Sequence, residues 1–221
     1  MWIIALADIH GATHMVEQVA GQLADADLVL IAGDITHFGH RAEAEEIIGA
    51  IERHNPHILA VAGNCDHLEV SHYLSDRHMN LDTAYVVRSG VAFVGAAGSL
   101  PCPGTTPNEI GEDGFNLSFG SSYTEACPGV PSILVVHQPP YGTITDLAHR
   151  DMHVGSRSVR DAIERHKPLI CFCGHIHESS GIDKIGETLV VNPGPLRHGR
   201  YAVAEVEDGR VTECRLESVG G

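Results

Sequence analysis

Basic residues are scarce in this chain: 14 Lys and Arg stand against 29 Asp and Glu, for a formal charge of −15. A surface of that sign repels polyanions, which argues against long nucleic acid as a partner. Long apolar runs are missing too. The longest are strand-sized, far short of the roughly 20 residues a membrane span requires, so no membrane partner is expected. Met1-Trp2-Ile3-Ile4-Ala5-Leu6-Ala7 is apolar but ends at Asp8, with no leading Lys or Arg and no small-residue cleavage site. It reads as a first strand and not as an export signal, so the expected location is cytoplasmic. The six cysteines show neither regular disulfide spacing nor paired C-x-x-C motifs. Cys171 and Cys173 lie two apart in an apolar run and are expected on one side of a strand, as inert buried thiols. No linker, repeat or low-complexity segment divides the 221 residues, so one domain, 1–221, is expected.

What is present is an alternation. Apolar, β-rich runs at 2–7, 28–32 and 58–62 are separated by helical stretches at 13–23 and 41–53. The second stretch carries Ala44, Ile47, Ile48 and Ile51 on one face. That β-α-β-α-β order predicts an α/β fold with parallel neighbours and covering helices. Residues 85–88 and 91–96 flank Ser89-Gly90, a hairpin signal. The stretch 98–131, rich in Gly, Pro, Ser and Thr, reads as a long loop. After it come a strand at 133–136, a loop through Gly155, a helix at 156–166 with Ser156 as N-cap, and a strand at 169–173. Strands near 189–191, 201–206 and 211–216 close the chain.

Polar residues able to bind metals recur where these strands end. Asp8 and His10 follow the first, Gly33-Asp34 the second, and Gly63-Asn64-Cys65-Asp66 the third. His137 follows the strand at 133–136, and Gly174-His175-Ile176-His177 the strand at 169–173. The C-terminal edge of a parallel sheet is where ligands collect in open α/β folds. Carboxylates, imidazoles and one amide oxygen suit hard-to-borderline divalent cations, with no thiolate required. Glycines 33, 63 and 174 are expected to let the backbone turn sharply after each strand. Sixteen histidines is a large number. His14, His37, His40, His54, His57, His72, His78, His149, His153 and His166 sit among polar or turn residues and are expected to be solvated or capping.

In series, D-x-H, G-D, G-N-x-D, H and G-H-x-H resembles the calcineurin-like metallophosphoesterase superfamily, over residues 2 to about 206. The compact length is similar to its small bacterial and archaeal phosphodiesterase-like members, and Asn192-Pro193-Gly194-Pro195 resembles the N-P-G segment that follows G-H-x-H in them. The resemblance implies a four-layer α-β-β-α sandwich with two mixed sheets and a pair of divalent metal ions, Mn or Fe favoured over Zn or Ni. It places Asp8, His10, Asp34 and His177 on one metal, and Asp34, Asn64, His137 and His175 on the other, with Asp34 bridging. The metals would stand roughly 3.5–4 Å apart and supply a bridging hydroxide as nucleophile toward a small phosphate ester. Asn64, His175 and Asp66 would serve the chemistry directly.

The chain departs from the family at Cys65, where many relatives carry a His that helps to protonate the leaving oxygen. A thiol is a poor acid beside imidazole, so a phosphodiesterase with weak monoesterase activity is expected. His67 and His198 are alternative proton donors, although His67 reads more simply as the start of a helix. Arg197 and His198 are open to two readings, a phosphate contact or a solvated loop. Two other functions remain: a non-catalytic metal-binding scaffold for protein interaction, and a nuclease acting on short oligonucleotides. The long loop or an exposed edge is available for a homo-oligomer.

Overall fold

In the computed structural model, residues 1–125, 129–149 and 152–220 are described. β1 (Trp2–Leu6) leads through two short helices, α1 (Thr13–Gln18) and α2 (Ala20–Asp25), to β2 (Leu28–Ala32), α3 (Arg41–Glu52), β3 (Ile58–Val61) and α4 (Leu68–Asp76). The hairpin of β4 (Tyr85–Arg88) and β5 (Val91–Ala96) follows, then α5 (Glu112–Glu125) and β6 (Ser132–Val136). A small antiparallel pair, β7 (Leu147–Ala148) and β8 (Met152–His153), precedes α6 (Arg157–His166) and β9 (Ile170–Phe172). The chain ends in β10 (Gly181–Ile185), β11 (Thr188–Asn192), β12 (Arg200–Glu207) and β13 (Arg210–Ser218).

One sheet has the order β13-β12-β1-β2-β3 and the other β10-β11-β9-β6-β5-β4. β1, β2 and β3 are parallel to one another, as are β11, β9, β6 and β5, while antiparallel strands close the other edges, at β13, β10 and β4. The sheets face each other through β2 and β3 against β5 and β6, with α5 packing on β5 and α6, and α4 on β3. This is the expected α-β-β-α sandwich. Its main core is built from fully buried residues such as Ile4, Leu30, Ile31, Phe93 and Phe172, and a second cluster under α5 and α6 holds Phe115, Leu134 and Val159. Cys171 and Cys173 face that second cluster while Phe172 faces the first, the alternation a strand imposes. Burial pushes the Cys173 thiol up to about 12 and the Cys171 thiol well above its ordinary value, so both stay protonated and inert.

Two expectations need correction. The helix read over 13–23 is broken at Val19, where φ −104° and ψ 14° tighten the turn onto the Val16 carbonyl. The break leaves Val16, Val19 and Leu23 all buried. The stretch 98–131 is not one long loop, because α5 occupies 112–125; residues 126–128 lie outside the described residues. Gly114, Gly120 and several serines depress helix propensity there. The helix forms because Phe115 and Phe119, four residues apart, are both buried, with Ser118 and Ser122 between and beside them on the same face.

A carboxylate ties α5 to the next helix. Glu112 accepts from Ser156 Oγ at 2.5 Å and from the backbone N–H groups of Arg157 and Ser158, each at 2.9 Å. It thus places a negative charge on the N-terminus of α6, where Ser156 caps Val159 as expected. Burial opposes its charge, yet these donors outweigh burial and hold its ionisation below the ordinary 4.5. Glu112→Ala is therefore expected to lower stability by about 1 kcal/mol near neutral pH, at the low end for charged caps because solvent reaches the carboxylate. A depressed carboxylate contributes above its unfolded value and loses that contribution as pH falls through the folded one. The penalty should then shrink when denaturation is repeated near pH 3, and an undiminished penalty there contradicts the assignment.

Candidate metal centre

Asp8 and His10 leave the end of β1, Asp34 that of β2, Asn64 that of β3, His137 that of β6, and His175 and His177 that of β9. Four of these residues sit in the left-handed region: Asp8 at φ 52°, His10 at 47°, Asp34 at 49° and His175 at 70°. For residues with a Cβ, each such conformation costs about 1–2 kcal/mol and persists only where the surroundings dictate it. The strand ends are bent so that polar side chains turn back over the sheet edge.

The side chains meet. Asp34 Oδ2 lies 3.5 Å from His10 Nε2, while its other oxygen, Oδ1, lies 3.4 Å from His137 Nε2. His10 Nε2 is 3.3 Å from His177 Nε2, which is 3.2 Å from Asp8 Oδ1. On the other side, His137 Nε2 is 2.9 Å from Asn64 Oδ1, and the rings of His137 and His175 stand edge to face at 5.1 Å. Donor atoms of Asp8, His10 and His177 all lie within 4.8 Å of one another, as do those of Asp8, Asp34 and His137. Asp8, Asp34, Asn64 and His137 are almost wholly buried. A surface concavity of about 1050 Å³ lies at the other end of the strands, against Met1, Leu28 and Val91, and gathers none of these groups.

The contacts themselves show whether cations suit this cluster. His137 Nδ1 is 2.8 Å from the Ala32 carbonyl, which only accepts, so Nδ1 carries a proton and Nε2 is aimed at two oxygens. Burial opposes charge on this ring, but the Asp34 and Asp8 carboxylates override it and hold its ionisation up at about 9. Asp34 is in turn held well below the usual carboxylate range, since the His137 and His10 rings outweigh its burial. The spot demands positive charge. Burial takes His10 down to about 4 and, aided by the neighbouring His137, takes His175 to about 4. Both are neutral imidazoles with lone pairs to offer, and His10 Nδ1 is buried with no partner. Neutral imidazole nitrogens and carboxylate oxygens packed at these separations form a donor set that fits divalent cations.

Supporting groups fix the loops. Asp66 is fully buried and accepts from Ile35 N, Thr36 N, Thr36 Oγ1 and Gly63 N, at 2.7–3.1 Å. Burial and the Asp34 charge push it up to about 6, and these donors keep it ionised at neutral pH. In this position it straps the loop after β2 to the loop after β3. Asn108 does similar work, unanticipated in the sequence: its Nδ2 donates to Gly63 O, and its N–H to Asn64 O. Gly33 needs both its φ of 86° and a bare α-carbon, since a Cβ would lie 2.4 Å from His137 Nδ1, and Gly63 needs space, since a Cβ there would lie 2.1 Å from Asp34 N and Oδ1.

Cys65 Sγ falls within 4.8 Å of donor atoms of His10 and Asp34, and burial together with the Asp34 charge drives its thiol far upward, so it stays protonated. His67 is the N-cap of α4, the plainer of its two readings, and stacks on His40 at 4.0 Å. His37, expected to be solvated or capping, is exposed and also packs edge-on against His10 at 5.5 Å. Arg197 is no solvated loop residue: its Nη2 donates to His177 Nδ1 at 3.1 Å, and its Nε is buried without a partner.

Known proteins share this fold. Residues 1–209 match the calcineurin-like phosphoesterase superfamily domain. An uncharacterised protein of Methanocaldococcus jannaschii is 38% identical over 207 residues, covering 91% of each chain. Among solved structures, a dimetal phosphatase from Danio rerio superposes with a TM-score of 0.64 at 12% identity, over 100% of this chain and 99% of that one. An archaeal phosphodiesterase superposes with a TM-score of 0.57 at 17% identity, over 99% of both chains. From strand order to the matched length of sequence these findings agree, and the chain belongs to the calcineurin-like phosphoesterase superfamily.

Proposed function

We propose that this protein is a dinuclear metal-dependent phosphodiesterase. The observation that carries the reading is the posture of Asp34, whose two oxygens face separate donor groups, one at His10 and one at His137. Asp8, His10, Asp34 and His177 would hold one ion, and Asp34, Asn64, His137 and His175 the other. When bound, two dications supply the Lewis acidity that activates water and offsets charge on phosphate oxygens. Manganese or iron suits the nitrogen and oxygen donors, and zinc or nickel would also bind. Neutral His10 and His175 keep lone pairs available at physiological pH, and the Asp66 strap holds Asp34 and Asn64 in register.

The preference for diesters follows from Cys65. Its thiol keeps its proton far above neutrality and so is a poor donor to a departing oxygen. Esters with good leaving groups need little protonation, and the acidic surface disfavours long nucleic acid. The archaeal phosphodiesterase among the structural neighbours supports the same direction.

The test is a metal-reconstituted screen of aryl phosphomonoesters, aryl phosphodiesters, cyclic nucleotides and short oligonucleotides. Two ions per chain are expected, with aryl diester turnover exceeding monoester turnover by about tenfold, or ~1.4 kcal/mol of transition-state discrimination. Metals bound without turnover of any ester would replace this reading with the scaffold; monoesters cleaved faster than diesters would remove the role given to Cys65.

A further inference from the structure

Arg197 lies in a single 3-10 turn, Leu196–His198, directly after the Asn192–Pro195 segment. It is half-buried. Arg41, Arg53, Arg77, Arg160 and Arg215 each pair with a carboxylate at the surface, whereas no carboxylate among the described residues lies within 4.0 Å of Arg197. Its side chain's one hydrogen bond among the described residues runs from Nη2 to His177 Nδ1, and Nε is sealed from solvent with nothing to donate to. A guanidinium carries five N–H donors in a planar fork, so most of this one's capacity is unused beside the donor cluster. A half-buried cation without a counter-ion is costly unless an anion comes to it.

The bond to His177 points the same way. Arginine only donates, so His177 Nδ1 accepts and the ring's own proton sits on Nε2, directed at Asp8 Oδ1 3.2 Å away. For Nε2 to offer its lone pair to a cation, that proton has to sit on Nδ1, where it would collide with the guanidinium donor. Ligation by His177 and donation from Arg197 are therefore mutually exclusive. Once His177 ligates, the Arg197 fork is released at the rim of the site.

We propose that Arg197 is the phosphate clamp of this site, turning its fork from His177 to the non-bridging oxygens of a bound phosphate ester. The proposal rests on the phosphodiesterase reading above. The group recognised is the phosphoryl oxyanion itself, which planar bidentate donors match.

Inorganic phosphate is the probe, titrated calorimetrically into the metal-loaded protein, with metal affinity measured on the same samples. Arg197→Gln should weaken phosphate binding by about 10–100-fold, as expected for charged hydrogen bonds. Arg197→Lys should retain part of the binding, since it keeps the charge but loses the fork. Both variants should bind metal as tightly as the parent or more tightly, because His177 is freed from its competitor. Phosphate affinity within about twofold of the parent in Arg197→Gln overturns the clamp. Loss of metal in either variant also overturns it, since Arg197 would then be a prop for His177. Failure of the unaltered protein to bind two ions sinks the functional reading first, before any variant is made.

Discussion

Asp34→Asn is expected to abolish turnover, lowering kcat/KM by about 10³-fold or more, or ~4 kcal/mol of transition-state stabilisation. It should also reduce metal content from two ions per chain to one or fewer. The physical ground is that its two oxygens face separate donor groups: one stands 3.5 Å from His10 and the other 3.4 Å from His137. An amide keeps one oxygen but presents an N–H₂ group at the other position, which repels a cation and cannot neutralise it. The fold should survive, because the Cys65 N–H that bonds Asp34 Oδ1 at 2.8 Å still finds an oxygen in Asn. Metal analysis by mass spectrometry beside steady-state kinetics on an aryl phosphodiester decides the matter. Two tightly held ions and turnover within about tenfold of the parent would defeat the bridging assignment.

Gly63→Ala should be nearly as damaging for a purely steric reason. The added methyl would sit 2.1 Å from Asp34 N and from Asp34 Oδ1, and the first of these is backbone that cannot swing aside. Overpacking of this kind costs about 3 kcal/mol or more, a fall of ~6–12 °C in Tm for a chain of this size. Since the displaced group is Asp34, metal binding should fail together with stability. Gly49→Ala, inside α3, is the matched control: nothing lies within 4 Å of its Cβ position, and it should stabilise by about 0.5–1 kcal/mol. Calorimetric melts of both variants check the pair, and a Gly63→Ala protein melting like the parent would contradict the contact.

Much of this arrangement was legible in the sequence because two signals coincide: apolar, β-branched runs mark the strands, and a polar residue follows each one. The hairpin at Ser89-Gly90 appears with Ser89 at φ 48° and Gly90 at 76°, as that dipeptide suggests. α5 was hidden because its composition says loop, whereas Phe115 and Phe119 bury their rings against the sheet. The glycines were half understood. Gly33 serves by its backbone freedom, but Gly33 and Gly63 also serve by having no side chain, which depends on neighbours far along the chain, His137 for the first and Asp34 for the second. Left-handed backbone at Asp8, His10 and His175 leaves no trace in residue type, and neither does the reach of Asn108 back to Gly63. Those are tertiary facts.

The candidate donors are divided between the two sheets. Asp8, His10, Asp34 and Asn64 emerge from β1, β2 and β3, and His137, His175 and His177 from β6 and β9. A cation held by both groups is a rivet through the sandwich, so occupancy and durability become one quantity. By mass action, an ion at about 100 times its Kd adds ~2.7 kcal/mol to the folded state. Scarcity of metal would then act twice, silencing the chemistry and exposing the idle chains to proteases that sample opened protein.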